Sequence, residues 1–120
     1  MFVEDHARAL WDVFERGTAG EHYNIGGDCE RQNIDLVREI CSLLDELRPA
    51  SRPYAELVNF VTDRPGHDQR YAVNHGKITE ALNWTPQTNF QDGLRKTVQW
   101  YLDNQVWWQP VLEQKDTHAA

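Results

Sequence analysis

The sequence predicts a small α/β domain that contains about four helices and a few short strands. Two observations predict this fold class. Apolar residues recur at helical spacing in three segments of the chain, and short runs rich in branched and aromatic residues lie between those segments. The length of 120 residues allows one domain at most.

The first predicted helix follows a strand that ends at residues 2–3. Glu4 and Asp5 favour a helix start, because carboxylates are stabilised near the positive end of the helix dipole. Gly17 is expected to end the helix as a residue that tolerates a positive φ angle. One apolar face lies between these ends and consists of Ala7, Leu10, Trp11 and Phe14.

A second strand is predicted at residues 22–25, and Gly26 and Gly27 are expected to turn the chain sharply after it. Asn33 is a favourable N-cap for the second helix, because its side-chain oxygen can accept a hydrogen bond from a free N–H of the first turn. The apolar face of that helix consists of Ile34, Val37, Ile40, Cys41, Leu44 and Leu47.

Residues 57–61 are the strongest strand candidate, because branched and aromatic side chains dominate them. They lead into residues 63–68, a run of turn-forming and chargeable residues, and the chain is predicted to return as a brief extended segment at residues 71–73. Asn74 then caps a third helix that ends near residue 82, and Asn83 takes the left-handed position that follows it.

The last helix is predicted from a capping box, in which Thr88 and Gln91 each satisfy a backbone N–H. Trp100, Trp107 and Trp108 are more often core or interface residues than a platform for bases. Residues 113–120 are polar, and we expect them to form a frayed tail. The apolar face of the helix consists of Phe90, Leu94, Val98, Tyr101 and Leu102, and it continues through Val106, Trp107 and Trp108.

Composition excludes several classes of protein. The formal net charge is −7, whereas a nucleic-acid binder needs positive charge to displace the cations around phosphates. No apolar run approaches the roughly 20 residues of a membrane span. The first residues lack the features of a signal peptide, and Cys29 and Cys41 are best explained as reduced thiols, so we expect a cytoplasmic protein. The histidines share no ligand spacing with Cys29, and no metal site is predicted.

Four motifs occur in order along the chain: FVEDHARAL at residues 2–10, YNIGG at 23–27, DRPGHD at 63–68 and TVQWYL at 97–102. Together with Glu30, Asn33, Arg70 and Tyr71, they closely resemble the C-terminal part of the dTDP-glucose 4,6-dehydratases, a family of extended short-chain dehydrogenases/reductases. Each motif alone also occurs in other nucleotide-sugar epimerases and dehydratases. The combination of DRPGHD with TVQWYL is more particular to this family.

The resemblance implies a reaction and a division of labour between two domains. Such enzymes oxidise C4 of dTDP-glucose with tightly held NAD, eliminate water across C5 and C6, and return the hydride to C6, which gives dTDP-4-keto-6-deoxyglucose. Their N-terminal Rossmann domain holds NAD and a Tyr-x-x-x-Lys pair. Their smaller C-terminal domain closes over the nucleotide-sugar, and the complete enzymes are expected to be homodimers.

The resemblance therefore implies that residues 1–112 are the substrate-binding portion of such an enzyme, an incomplete domain whose Rossmann half is missing. No tyrosine of the chain is followed by a lysine four residues later, and no glycine fingerprint for a dinucleotide follows a strand. We expect the chain alone to carry no catalytic residue, to bind no NAD and to be inactive.

The positions that match nucleotide contacts of the family are Asn33, Asp63, Arg64, Pro65, Gly66 and His67. Helix capping is an alternative role for Asn33, worth about 1 kcal/mol, although a helix start also suits an anion. The segment from 63 to 67 is alternatively a charged turn whose surface ion pairs contribute about 0–1 kcal/mol. In a full enzyme, Pro65 and Gly66 would stiffen this turn so that Asp63 and His67 face the nucleotide.

Two other functions stay open on the sequence alone. The chain is alternatively a stand-alone module that binds dTDP or another partner without catalysis, or a fragment of a related UDP- or GDP-sugar epimerase or dehydratase. The fragment hypothesis predicts exposed apolar surface, because the first and last helices carry more apolar side chains than the few strands could cover.

Overall fold

The computed structural model describes residues 1–62, 64–66 and 72–116, with side chains up to residue 112. Helix α1 packs against α3, α2 packs against both a 3₁₀ turn and α4, and α4 contacts α5. The elements of the described residues are, in chain order, α1 (Val3–Arg16), α2 (Asn33–Leu47), the 3₁₀ turn (Tyr54–Leu57), α3 (Gly76–Leu82), α4 (Phe90–Asp103) and α5 (Gln105–Asp116).

The prediction of a few short strands is not confirmed, since the described residues contain no strand. Val3 is the first residue of α1, and residues 22–25 are irregular. Phe60 and Val61 are 86% and 84% exposed, so no neighbouring strand covers them in the described part of the chain. A segment with high strand propensity becomes a strand only where a neighbour completes its hydrogen bonds.

Helix α1 forms where its apolar spacing predicts a helix, but the predicted apolar face points outward. Leu10, Trp11 and Phe14 are 53%, 58% and 80% exposed, whereas Ala9 on another face is fully buried. The small Ala9 side chain allows α1 to approach α3 closely, because it belongs to the buried cluster formed with that helix. The larger apolar side chains of α1 therefore remain exposed in the described structure.

Gly17 and Gly26 serve close approach of the backbone instead of a positive φ angle. Gly17 ends α1 in an extended conformation with φ −69°, so the predicted reason for a glycine there is wrong. A Cβ atom on Gly26 would lie 2.7 Å from the carbonyl oxygen of Val73, so a side chain there would force the two segments apart. The positive φ angle that follows the glycine pair lies at Asp28, where φ is 45°.

The cap of α4 is displaced by one residue from the predicted box. Asn89 is the N-cap: its Oδ1 accepts the Asp92 N–H at 2.9 Å and its Nδ2 donates to the Asp92 carboxylate at 2.6 Å. Thr88 and Gln91 therefore do not form the capping box. Thr88 is held differently, because its backbone N–H donates to the Asp5 carboxylate at 2.9 Å.

The other predicted caps have mixed outcomes. Gln32 is the N-cap of α2, and Asn33 is the first helical residue instead of the cap. Asn74 lies two residues before α3 and its Oδ1 accepts the first backbone N–H of that helix at 2.8 Å. Asn83 has φ 53° and ψ 35°, which confirms the predicted left-handed end of α3.

The last predicted helix is divided in two by Asn104, whose φ and ψ angles are −114° and 39°. The Trp100 carbonyl accepts both the backbone N–H of Asn104 at 2.9 Å and the Asn104 side chain at 2.8 Å. Trp108 Nε1 donates to the Tyr101 carbonyl at 2.8 Å. The bond from Trp108 satisfies a carbonyl at the end of α4, and α5 begins at residue 105.

The core lies between α1 and α3, and we call it the Trp84 core. Trp84 and Ile78 are 2% and 0% exposed and have the largest of its fully buried side chains. The cluster is completed by Ala9 and Leu82, and by the partly buried Val13, Tyr23 and Ile25 that pack against it. This cluster joins the loop after α3 to helices α1 and α3.

Asp5 joins the start of α1 to the loop before α4. Its side chain is 4% exposed and accepts the backbone N–H groups of Gln87 at 3.1 Å and Thr88 at 2.9 Å. Arg8 donates to the same carboxylate at 2.7 Å and to the Thr85 carbonyl at 2.9 Å. Burial raises the pKa of Asp5, but the hydrogen bonds from Thr88 and Gln87 and the charge of Arg8 outweigh burial and lower it.

The chain is less compact than its length requires. Its radius of gyration is 18.0 Å, whereas a compact domain of this length would have about 13.6 Å. Its accessible surface is 9710 Å², about 3,000 Å² more than a monomer of this mass exposes. Val106 and Trp107 are 89% and 65% exposed, which confirms the expected exposed apolar surface.

None of the helices in the described residues is long and apolar enough to cross a bilayer.

Candidate nucleotide-binding site

Asn33 lies exposed at the start of α2. The first N–H groups of a helix have no partner inside the helix and carry the positive end of its dipole, so this end suits an anion. Arg31 lies next to the helix start, but its guanidinium already donates to Glu39 at 2.6 Å and stacks 4.2 Å from the Phe90 ring centroid. Its charge is therefore largely compensated within the chain.

Arg64, Pro65 and Gly66 form an exposed turn. Gly66 has φ +73° and no atom near the position of an added Cβ. Proline followed by a residue with positive φ is the pattern of a type II turn, in which the proline ring fixes the approach of the chain. The predicted contacts Asp63 and His67 lie outside the described residues, together with residues 68–71.

An open cleft of about 590 Å³ lies where the chain returns from this turn at residue 72. His75 is the chemically notable residue of the cleft: its side chain is 13% exposed and its Nε2 lies 3.4 Å from the Asp28 carboxylate. The His75 ring also packs edge-to-face against Trp84, with 6.0 Å between the centroids. The cleft is lined by Asp28, Glu30, Ala72, Val73, Asn74, His75, Gly76, Thr79 and Glu80.

The cleft is acidic on the side that the structure describes, because Asp28, Glu30 and Glu80 line it. An anion would need cations from outside this lining. Asn33 and residues 64–66 do not line it, so the structure does not bring the sequence-predicted residues together in one described cavity. Sequence reasoning missed the His75–Asp28 pair, since the two residues are far apart in the sequence and carry no ligand spacing.

A larger open groove of about 960 Å³ lies between the start of the chain and α4, and we call it the aromatic groove. Trp100 is one of its lining residues and packs edge-to-face with both Tyr101 and Trp107, at 5.1 Å between ring centroids. Lys96 Nζ lies 5.3 Å from the centroid of the Phe2 ring. The lining consists of Met1, Phe2, Val3, Glu4, His6, Lys96, Thr97, Trp100, Tyr101 and Trp107.

The described residues contain no strand–turn–helix unit of the kind that binds a dinucleotide. A dinucleotide fold needs a strand, a glycine-rich turn and a helix whose N-terminus faces the pyrophosphate. Gly17 instead follows a helix, and Gly20 lies with φ +84° in a turn that leads to irregular chain. Among the described residues, no three His, Cys, Asp or Glu side chains are grouped as they would be around a metal ion.

Comparison with known proteins identifies the family. The profile of the family described as GDP-mannose 4,6 dehydratase matches residues 1–97. The dTDP-glucose 4,6-dehydratase of Neisseria meningitidis serogroup B is 57% identical over 93% of this chain and 33% of its own length. The dTDP-glucose 4,6-dehydratase 1 of Escherichia coli (strain K12) is 56% identical over 89% of this chain and 30% of its own length.

Two solved structures are similar in fold. The dTDP-glucose 4,6-dehydratase of Bacillus anthracis in complex with NAD superposes with a TM-score of 0.74 and 41% identity, over 90% of this chain and 32% of that one. DesIV from Streptomyces venezuelae, a dTDP-glucose 4,6-dehydratase with NAD and TYD bound, gives a TM-score of 0.73 and 43% identity, over 89% of this chain and 31% of that one.

The chain spans about a third of the length of the curated relatives that it matches. The similarity extends across nearly the whole of the chain, and the solved structures share its fold as well as its sequence. The chain therefore belongs to the family described as GDP-mannose 4,6 dehydratase, within which it is similar to the C-terminal part of dTDP-glucose 4,6-dehydratases.

Proposed function

We propose that this chain forms the sugar-nucleotide-facing part of a dTDP-glucose 4,6-dehydratase, which converts dTDP-glucose to dTDP-4-keto-6-deoxyglucose by NAD-dependent dehydration. The observation that carries the proposal is the 57% identity to the dTDP-glucose 4,6-dehydratase of Neisseria meningitidis over 93% of the chain. The similarity to a structure with NAD and TYD bound supports the same enzyme class.

In this proposal, the nucleotide contacts are Asn33 and the segment from residue 63 to residue 67. The exposed start of α2 offers backbone N–H groups to a diphosphate. The turn at Pro65 and Gly66 is exposed and open on its outer side, so a ligand can approach the backbone there. Arg64 lies on the same exposed turn and belongs to the predicted contact segment.

The chemistry of the reaction is proposed to reside in residues outside this chain. The sequence contains no tyrosine with a lysine four residues later, and the described residues form no strand–turn–helix unit for a dinucleotide. NAD would supply the hydride chemistry in the complete enzyme, where it is proposed to be held by the Rossmann half. The chain alone is accordingly expected to have no dehydratase activity, and homodimerisation is proposed for the complete enzyme.

A related GDP-sugar enzyme is the second candidate. The observation that favours it is the description of the matching family profile, which is GDP-mannose 4,6 dehydratase. The two candidates differ in the base that the site accepts, so they are separated by comparing nucleotides with different bases.

The experiment is a graft in which this chain replaces the matching C-terminal part of the Neisseria enzyme. The graft is expected to convert dTDP-glucose, and dTDP is expected to inhibit it more strongly than UDP or GDP. Asn33→Ala should weaken dTDP inhibition by about 10- to 100-fold, because a hydrogen bond to a charged group contributes about 1.5–3 kcal/mol. Asn24→Ala, an exposed asparagine outside the proposed site, is the matched control.

Two outcomes would contradict the proposal. Stronger inhibition of the graft by GDP than by dTDP would favour the second candidate. Conversion of dTDP-glucose by the isolated chain, in a sample free of host dehydratase, would show that the chemistry does not need residues outside the chain.

A further inference from the structure

We propose that His75 and Asp28 form a positioning pair, which joins the two segments with the proposed nucleotide contacts and makes their arrangement depend on pH. This inference rests on the proposed function, because it takes the nucleotide contacts from there. It goes further by giving a role to two residues that are not among those contacts. Three observations support it: the place of the pair in the chain, the way in which its two side chains are held, and the charges around it.

The pair lies between the two contact segments. Asp28 belongs to the loop that leads into α2 at Asn33. His75 lies on the other segment, which returns from the turn at residues 64–66 and leads into α3. His75 Nε2 and the Asp28 carboxylate are 3.4 Å apart. The pair therefore connects the segment before the start of α2 directly to the segment after the turn.

The His75 ring is held firmly on the side of α3. His75 is the N-cap of that helix, and its carbonyl accepts the Thr79 backbone N–H at 3.2 Å and the Thr79 hydroxyl at 3.3 Å. Its ring packs edge-to-face against the buried Trp84, with 6.0 Å between the centroids. The side chain is only 13% exposed. His75 therefore offers a fixed point to the loop that faces it.

Asp28 is the more exposed partner, and its loop is tied to the start of α2. The Asp28 side chain is 74% exposed, and its backbone has φ 45°. At the other end of the loop, Arg31 donates to Glu39 of α2 at 2.6 Å and stacks on the Phe90 ring. An attraction between His75 and Asp28 therefore holds the start of α2 closer to the segment at residues 72–75.

The ionic part of this attraction requires a protonated His75. Histidine is the side chain whose charge changes between about pH 5 and pH 8. Lys77 of α3 lies outside the cleft lining and donates to Glu21 at 2.7 Å. The charged residues of the described lining, apart from His75 itself, are Asp28 and Glu30 from the loop before α2 and Glu80 from α3. A protonated His75 therefore meets carboxylates in this cleft, and it holds the loop more firmly in acid than in base.

The test compares dTDP inhibition of the Neisseria graft at about pH 5.5 and about pH 8. Asp28→Asn removes the charge but keeps a residue type that accepts a positive φ angle. It is expected to weaken inhibition about threefold to fivefold at the lower pH, the size of a partly exposed ion pair, and less than about 1.5-fold at the higher pH. Each ratio compares variant and parent at one pH, so the protonation of the dTDP phosphates cancels.

A second variant distinguishes a positioning pair from a direct effect of either charge on the ligand. His75→Gln should cause the same loss at the lower pH, and the double variant should lose no more than either single variant, because no pair is left to break. Glu21→Gln breaks the neighbouring ion pair with Lys77, which contains no histidine. It is the matched control and should leave the pH dependence unchanged. Additive losses, or an equal loss at both pH values, would overturn the proposal.

Hydrogen exchange measures the pair without a nucleotide. After correction for the intrinsic exchange rate at each pH, the backbone amides of residues 28–33 in this chain should exchange about threefold to fivefold more slowly at the lower pH. Asp28→Asn should remove this difference. Equal corrected rates at the two pH values would overturn the proposal, even where a graft variant fails to fold.

The outcomes are separable from those of the proposed function. A graft that prefers GDP over dTDP, and whose inhibition by GDP shows the same pH-dependent loss, would retain the positioning pair and reject the proposed nucleotide. A graft that prefers dTDP but whose variants show no pH-dependent loss would do the reverse.

Discussion

Trp84 and Trp107 show how differently one residue type is used in two regions of this chain. Trp84 is 2% exposed and packs in the core between α1 and α3, whereas Trp107 is 65% exposed at the edge of the aromatic groove. Trp100, its neighbour in the groove, is 43% exposed. The difference shows that Trp84 is fully packed by residues of this chain, whereas the rings of the groove remain partly exposed.

Polar contacts account for part of this contrast. The Trp84 core is surrounded by side chains that hold backbone groups of other elements: Asp5 accepts from residues 87 and 88, and Arg16 donates to the Leu82 carbonyl at 2.9 Å. The groove is held by contacts between neighbouring rings of α4 and α5. A core fixed in this way is expected to set the stability of the chain, and the groove is expected to contribute little.

Removing the Trp84 ring is predicted to have the largest effect. Trp84→Ala should lower the free energy of unfolding by about 3–5 kcal/mol, because it leaves a cavity that the surrounding helices fill only in part. Urea denaturation followed by far-ultraviolet circular dichroism measures the change. Since whole domains are stable by only about 5–15 kcal/mol, this loss is a large fraction of the stability of a domain of this size.

Two further variants sharpen that comparison. Trp84 Nε1 is buried without a hydrogen-bond partner among the described residues, so Trp84→Phe should cost less than half as much as Trp84→Ala, because it also removes an unsatisfied donor. Trp107→Ala should change the free energy of unfolding by no more than about 1 kcal/mol, the scale of an aromatic contact. If Trp107→Ala were as damaging as Trp84→Ala, the distinction between a closed core and an open groove would be wrong.

Removing the Asp5 carboxylate is predicted to be the next largest effect. Asp5→Ala should cost about 2–4 kcal/mol, because the backbone N–H groups of Gln87 and Thr88 and the Arg8 guanidinium lose a charged acceptor. Glu4→Gln is the matched control on the same helical turn: Glu4 is exposed, so only its interaction with the helix dipole is lost, about 0.3–1 kcal/mol. Equal effects of the two variants would mean that Asp5 stabilises the fold only through the helix dipole.

The same carboxylate is predicted to give the chain an acid-sensitive step. Burial raises the pKa of Asp5, but the hydrogen bonds from Thr88 and Gln87 lower it by more, so the net shift of the pKa is downward. A carboxyl whose pKa is lowered in the folded state stabilises that state above its unfolded pKa of about 3.9, and this stabilisation disappears as the pH falls through the folded value. Asp5→Asn should therefore flatten the fall in unfolding free energy below about pH 4, which urea titrations at several pH values would measure.

The helices of this fold could be predicted because their signals are local. Apolar spacing located α1, α2 and α4, and Asn74 and Asn83 indicated the two ends of α3. The capping of α4 by Asn89 instead of Thr88 could not be predicted, because the competing bond of Thr88 comes from Asp5, far away in the sequence. The strand predictions failed for the same reason, because strand pairing depends on a distant segment that the propensity of the strand itself does not reveal.

The candidate site shows the same division between what the sequence indicates and what depends on contacts between distant segments. Asn33 and the turn at Pro65 and Gly66 were predicted as contacts from the family resemblance, and the structure places both on the surface. The pairing of His75 with Asp28 depends on the close approach of residues 26 and 73. A glycine in the sequence does not say which segment will approach it, so this cleft becomes visible only in three dimensions.

Changing the left-handed residue at the end of α3 is predicted to have an intermediate effect on the Trp84 core. Asn83→Ala should cost about 1–2 kcal/mol, because a Cβ-bearing residue other than asparagine is strained at φ 53°. Asn83→Gly should be neutral or slightly stabilising, since glycine adopts this conformation without strain. Thermal unfolding of the two variants measures the difference, and an equal loss in both would mean that the Asn83 side chain, and not its backbone angle, supports the core.

The ion pair between Arg95 of α4 and Glu46 of α2 lies outside both regions of the comparison. The guanidinium donates to both carboxylate oxygens, at 2.8 and 2.5 Å. The hydrogen bond from Arg95, together with its charge, lowers the pKa of Glu46. Both side chains are exposed, at 46% and 59%, so water and salt screen most of their attraction.

Glu46→Gln is therefore predicted to have the smallest effect of the series. The loss in unfolding free energy should be measurable at low salt and should disappear near 1 M NaCl, where the screening length is about 3 Å. The loss should also shrink as the pH falls below the unfolded glutamate pKa of about 4.3 and through the lowered pKa of folded Glu46, because the pair stabilises the folded state only where the carboxyl is ionised. Asp35→Asn, which breaks a 3.8 Å pair with Arg38 inside α2, is the control. A salt-independent loss as large as that of Asp5→Ala would show that the contact between α2 and α4 is a second closed core.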